Sequence, residues 1–386
     1  MHPFLRLMNL TLCCALLGTA PYGAAAAEAL PEILIGFAAP MSGSSDEFGK
    51  SLANAAQLAV DEANARGITI GGRKMQLQLV IQDDRSDART AALGAEYLVK
   101  KGVIGVIGNG STTTTLATAP IYSLANIPQI TPSASSKEIT ERGYKTMFRI
   151  IGHDDDGGTY AGNYAVNTLQ AQRIAVIDNN TPFGIRFAAQ FSKAVTEAGG
   201  KIVSKSSISD KTSDFNTLLA DARSDKVDLI FFSGFYKQAG ELARNIKRLG
   251  VQARLMTGSN GAVGLPFLQI AGPAANGVIG MEMGPPLEKM TGWRHFENAY
   301  ISKFGPNIDL YAPYAYDSAQ ALINALKQAN STDPVKITAA LHRIRFNGLT
   351  GAIAFDSDGN LQAPVFSIYT VEDQKWTVTK IINTKK

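Results

Sequence analysis

Cysteine is nearly absent from this 386-residue chain: its two copies, Cys13 and Cys14, sit side by side near the N-terminus. The long remainder has no disulfide and no thiolate metal site. Histidine is equally scarce. His2, His153, His295 and His342 lie far apart, and no His-x-x-x-His pair or Gly-x-Ser-x-Gly elbow occurs, which removes the common zinc and serine-hydrolase signatures. No acid–base pair stands out, so the residues describe a binder and not an enzyme, with no cofactor and no metal expected. The formal net charge is only +4, with basic and acidic residues interleaved, which gives nucleic acid no footing. No apolar run reaches the roughly 20 residues a membrane-spanning helix needs.

Two nucleotide signatures fail narrowly. Residues 43–51 (GSSDEFGKS) place five residues between the glycines where a phosphate loop has four, and Asp46 and Glu47 would repel phosphate. Gly108 and Gly110 are followed by Thr113 where a dinucleotide fingerprint requires a third glycine. The acid run Asp154, Asp155 and Asp156 reads as the cap of a helix more readily than as a cation site.

What is present is an ordinary globular composition, 45% hydrophobic and 18% charged, in a chain long enough for two domains. The N-terminus reads as a secretory signal: His2 and Arg6 precede the apolar run 10–17, and residues 24–27 are all alanine. Leu12 is too large to precede a lipoprotein cleavage site at Cys13. Cleavage after Ala27 takes one arginine and no acid from 37 basic and 33 acidic residues, leaving 36 against 33. The mature protein is therefore expected to be exported, soluble and close to neutral.

Strand and helix patterns then alternate. Strands are predicted at 33–38, 75–82, 103–107 and 127–131, with helices at 48–66, 87–101 and from Ser111 onward. The pattern restarts with helices at 153–169, 183–198, 215–223 and 237–249 and strands at 173–178, 202–206, 227–232 and 255–257. Later segments mix helices (293–303, 312–329, 334–344) with strands (351–355, 365–370, 376–380) and are expected to complete both units. Such alternation predicts two α/β units built like Rossmann domains, each a parallel central sheet covered by helices.

In such sheets ligands settle beyond the carboxyl ends of the strands. Polar turns collect there, at 40–48, 108–115, 131–136, 179–184, 234–236 and 258–261. The richest is 103–119 (VIGVIGNGSTTTTLATA), a buried strand, a glycine turn and a hydroxyl-lined helix start. Unpaired N–H groups and hydroxyls there suit a carboxylate, although Ser and Thr also cap helices in general.

Several short motifs, in order and spacing, extend this. They are 36–43 (GFAAPMSG), 57–66 (QLAVDEANAR) with Gly71-Gly72, Asp83-Asp84, 106–114 (VIGNGSTTT), 130–135 (ITPSAS), Phe148-Arg149, Phe183-Gly184 and 314–319 (YAYDSA). Together the chain resembles the periplasmic leucine/isoleucine/valine-binding proteins that feed branched-chain amino acid ABC importers. The resemblance implies a type I periplasmic-binding architecture with three crossovers, one lobe from 28–150 and 284–360, the other from 151–283 and 361–386. It implies that Thr112, Ser133, Ala134 and Ser135 hold the ligand carboxylate, beside which the hydroxyl run at the same helix start sets Ser111 as a further ligand-binding candidate, and that Phe48, Phe183 and either Phe235 or Tyr236 cover the ligand. Asn260 stands where several relatives carry an acid for the ligand ammonium, and Ser86 and Ser111 stand at disulfide positions. The expected function is periplasmic capture of a hydrophobic amino acid by a monomer that closes on a hinge and delivers to a membrane permease. An aromatic or aliphatic carboxylate without an amine is the alternative, as is a ligand sensor for a signalling receptor. A buried ammonium without a counter-charge costs several kcal/mol, so an amino acid ligand requires some other acid, such as Asp46.

Overall fold

The computed structural model describes residues 30–384 apart from 210, 211, 213, 260 and 261. The first sheet is built from the apolar runs of β1 (Glu32–Ala39) and β4 (Val106–Gly108), the alternating β3 (Arg73–Asp83), and the short β5 (Gln129–Thr131) and β6 (Met147–Arg149), with β2 (Ile68–Ile70) before β3. Between them run α1 (Asp46–Arg66), α2 (Ala88–Lys101), α3 (Thr112–Leu124) and the short α4 (Glu138–Glu141). The six strands order as β2-β3-β1-β4-β5-β6. All pair in parallel except β2, whose tight Gly71-Gly72 turn leaves only an antiparallel return.

The second run comprises α5 (Asp154–Asn167), β7 (Arg173–Asp178), α6 (Pro182–Glu197), β8 (Lys201–Ser207), α7 (Asn216–Ser224), β9 (Leu229–Ser233), α8 (Tyr236–Arg248), β10 (Arg254–Thr257), α9 (Leu265–Ala271) and β11 (Ile279–Met283). The chain then forms α10 (Trp293–Phe304), α11 (Ala312–Ala329) and α12 (Pro334–Leu341), a two-stranded ribbon β12 (Phe346–Asn347) and β13 (Ala352–Ile353), and finally β14 (Val365–Glu372) and β15 (Lys375–Asn383). The second sheet orders as β15-β14-β11-β10-β9-β7-β8. Its last two strands are antiparallel. Asp373 and Gln374, both left-handed at φ 48° and 60°, turn the chain within two residues, too few for a crossover.

The chain passes three times between the first sheet with the helices packed on it and the second sheet: from β6 to α5, from β11 to α10, which with α11 packs on α1, and from β13 to β14. Helix α11 packs along α1, and the alanines of both helices bring the two backbones close. The first and third passages touch, because Arg149 N–H donates to the Gly359 carbonyl at 2.8 Å.

Several details differ from the sequence expectations. Strand β4 starts at Val106, so Val103 and Ile104 are buried approach residues outside it. Helix α5 is capped not by its acids but by His153, whose Nδ1 accepts from the Asp156 N–H at 3.3 Å, while Asp154 is fully buried. Strands β6 and β11 are unforeseen: β6 is only three residues long, and β11 (IGMEM) carries an acid in its middle.

Candidate ligand-binding cleft

The carboxyl end of the first sheet is a shelf of hydroxyls and backbone. At its centre the turn after β4 is held from beneath. The buried Asp84 carboxylate accepts from Asn109 Nδ2 at 2.8 Å, and Asn109 Oδ1 accepts from Thr118 Oγ1 at 2.8 Å. The Thr131 hydroxyl donates to the Asn109 carbonyl at 2.8 Å. Burial raises the Asp84 pKa, opposed by the bonds from Asn109 and the Ser86 N–H. Gly108 has φ +128°, and a Cβ there would lie 2.2 Å from the Ala38 carbonyl oxygen, so only glycine lets β4 end against β1.

On this base Ser111 caps α3, accepting from the Thr114 N–H at 3.2 Å. Ser133 donates to the Gly110 carbonyl at 2.8 Å, which locks the 133–136 loop beside the turn. Thr112 is buried, and its hydroxyl accepts from the Ser136 N–H at 3.4 Å. Ala134 donates through its N–H to Thr131 Oγ1 at 2.9 Å. Phe48 leans over the turn: a Cβ on Gly110 would be 2.8 Å from its ring, and the ring meets Tyr311 edge-on at 6.3 Å.

The second sheet offers an aromatic face. Phe183, 3% exposed, stacks on Phe235 at 6.4 Å and meets Phe187 edge-on at 5.8 Å. Phe235 is 40% exposed, and Tyr236 is half-buried with its pKa raised by burial and by Glu47, Asp309 and Asp46. Those acids belong to the opposite lobe, so Tyr236 faces across to the start of α1.

Contacts bridge the lobes at this rim, among them Lys137 to Asp155 at 3.8 Å. Lys237 Nζ donates to the Ser44 carbonyl at 3.0 Å. Arg186 on α6 grips Glu141 on α4 through two bonds of 3.0 Å, and Asp155 through bonds of 2.7 and 3.0 Å. These bonds raise the Arg186 pKa.

Asp154 opens α5 beside the 133–136 loop, its N–H donating to the Ser135 carbonyl at 3.0 Å. Burial pushes its carboxyl up to about 7. Neither oxygen finds a hydrogen-bond partner in good geometry, nor does the Ser135 hydroxyl, although the two groups are near enough for the hydroxyl to favour the carboxylate. The hydroxyls of Ser136, Ser233 and Ser259 are likewise buried without a partner among the described residues. All five groups sit at carboxyl ends of strands or at the start of α5.

Of the residues singled out in the sequence, Ser111, Thr112, Ser133, Ala134 and Ser135 form one shelf with Phe48 beside it, and Phe183, Phe235 and Tyr236 form the facing wall. Asn260 lies outside the described residues. Asp46 is bound to Lys50 at 2.7 Å. The sequence reading took Asp154 as part of a helix cap more readily than a cation site, used Arg149 only within a motif, and did not single out Glu282. Glu282 is buried and accepts from Tyr311 Oη at 3.0 Å. The acid run and the Phe148-Arg149 pair were the available signals for the first two.

A family model described as periplasmic binding protein matches residues 32–375. A leucine-, isoleucine-, valine-, threonine- and alanine-binding protein of Pseudomonas aeruginosa is 30% identical over 94% of this chain and 95% of its own length. The chain belongs to the leucine/isoleucine/valine-binding family of periplasmic binding proteins. Among solved structures of this type I fold, a leucine-binding protein from Thermotoga maritima aligns with a TM-score of 0.83 at 25% identity, covering 91% of this chain and 99% of that one. The branched-chain amino acid transporter substrate-binding protein of Streptococcus pneumoniae in complex with isoleucine aligns at 0.82 and 26% identity, covering 91% and 99%. No helix among the described residues of this periplasmic binding protein is long and apolar enough to cross a membrane.

Proposed function

We propose that this periplasmic binding protein captures a hydrophobic, branched-chain-type amino acid between its lobes and delivers it to the permease of an ABC importer. The observation that carries the reading is the buried set of Ser135, Ser136, Asp154, Ser233 and Ser259, without partners among the described residues, at strand ends and the start of α5. Buried polar groups ordinarily have partners, and a zwitterion supplies both kinds. In this reading the ligand carboxylate meets the Thr112 hydroxyl and the 133–136 loop. The ammonium meets Asp154, which supplies the counter-charge that Asn260 lacks. Phe48, Phe183, Phe235 and Tyr236 enclose the side chain, as an apolar pocket with few convergent polar groups requires. The lobes run 28–150 with 284–360 and 151–283 with 361–386, the first 27 residues are cleaved on export, and the protein acts as a monomer that closes on its hinge.

The test is a thermal-shift screen of the mature protein against leucine, isoleucine and valine beside their des-amino analogues such as 4-methylpentanoate, since a ligand of the native state raises the melting temperature. Leucine or a relative is expected to stabilise the protein where the des-amino acid does not. Stabilisation by the des-amino acids alone overturns the amino acid reading in favour of the amine-free carboxylate that Asn260 suggests.

A further inference from the structure

Among the described residues the largest fully buried side chain is a cation, Arg149, at the end of β6. It reaches under the 133–136 loop. Its Nη1 donates to the Ser135 carbonyl at 3.1 Å and to the Ser136 carbonyl at 2.7 Å, and its Nη2 bonds Asn360 on the third passage between the lobes. Burial lowers its pKa to about 10, which still leaves it charged at neutral pH. No carboxylate among the described residues makes a direct hydrogen bond to it. The charges of Asp154, Asp155, Asp156 and Asp356 act on it from a distance.

The geometry of the Ser135–Ser136 peptide gives this cation an outlet. In a trans peptide the C=O and N–H point in opposite directions. With the Ser135 carbonyl turned down to Arg149, the Ser136 N–H is turned up, and it donates to Thr112 Oγ1 at 3.4 Å. The Thr112 hydroxyl, one lone pair occupied, is left to donate its own proton. Each bond in such a chain polarises the next inside a low-dielectric interior. Thr112 is buried at the first turn of α3, where the helix terminus adds the same sign of potential.

We propose that Arg149 is a positioning residue for carboxylate binding: through the Ser135–Ser136 peptide it orients and polarises the Thr112 hydroxyl toward the ligand's carboxylate. The proposal rests on the cleft reading given above. It explains how a shelf of hydroxyls and backbone groups holds an anion, since a positive charge lies one peptide below it.

A double-mutant cycle tests it. Leucine affinity, or that of whichever carboxylate the screen identifies, is measured for the wild type, Arg149→Lys, Thr112→Val and the double variant. Arg149→Lys keeps the charge and loses the two-pronged grip. It is expected to weaken binding about tenfold beside Thr112 and less than about twofold in the Thr112→Val background, because the coupled residues share one effect. A merely structural Arg149 would weaken binding by the same factor in both backgrounds, and that result overturns the relay. So does a folded Arg149→Lys protein with wild-type affinity. If Arg149→Lys does not fold, Asn360→Ala releases the guanidinium from its other side, and the same cycle is run with it. A wild-type protein that binds neither amino acids nor carboxylates removes the cleft reading itself. A wild type that binds, with an additive cycle, removes only the role of Arg149.

Discussion

The two faces of the cleft are built by opposite means. On the first lobe the groups are polar, and each is held by another polar group below it: Asp84 under Asn109, Thr131 under the turn, Arg149 under the 133–136 loop. On the second lobe the wall is an outcrop of the core. Phe231, Phe187 and Phe183 pass outward in ring contact until Phe235 reaches solvent. The difference follows from what each must do. A hydrogen bond needs direction and therefore a rigid base, whereas an apolar wall needs only shape. Damage to the first face should therefore misdirect donors, and damage to the second should open space.

The largest effect is expected at the base of the polar face. Gly108→Ala sets a Cβ 2.2 Å from a carbonyl at a left-handed φ, and should cost more than about 3 kcal/mol by combining backbone strain with overpacking, read by urea denaturation. On the aromatic face the comparison sharpens within one stack. Phe183→Ala should cost about 3–5 kcal/mol through the cavity it leaves, while Phe235→Ala, at the exposed end, should change stability by less than about 0.5 kcal/mol and show itself in ligand affinity. Asp84→Ala, which leaves Asn109 Nδ2 unsatisfied, should cost about 2 kcal/mol and weaken binding at the turn it supports.

Asp154 separates stability from binding by sign. With its folded pKa at about 7, well above the unfolded value near 4, the native state holds a proton that the unfolded chain releases across that window. Stability should therefore fall as pH rises from about 4 to 7, and Asp154→Asn should flatten that slope and add about 1–3 kcal/mol at pH 8 by removing an unpartnered buried charge. Affinity for an amino acid should move the other way, rising through pH 7 as the carboxylate forms, and the rise should vanish in Asp154→Asn. The smallest effect belongs to the rim. Arg186→Gln breaks the bridge to Glu141 and should favour lobe opening by only about 0.3–1 kcal/mol, less at high salt, seen as faster ligand release in stopped-flow measurements.

The elements with strong periodicity were legible. Helices α1, α6 and α11 and strands β1, β7 and β10 appear where apolar spacing put them, because a long amphipathic pattern buries well in only one way. The shelf was legible too, since hydroxyls and glycines after a strand have local meaning. Strand β11 was not: Glu282 is buried within it, and Tyr311 and the Val263 N–H reach it from other parts of the chain. Arg149 was visible as half of a familiar pair but not as the support of a loop 13 residues away.

What the sequence determined alone was the alternation of elements, the parallel sheets, the polar strand ends and the family. These depend on period, turn chemistry and local donors, all within a few residues of one another. Tertiary structure decided which buried charges matter and what they face. Whether Asp154 is a surface cap or a buried acid, and whether Arg149 is a solvated cation or the base of the carboxylate shelf, depends on how strongly each is desolvated. That is set by segments as distant in sequence as residues 135 and 360.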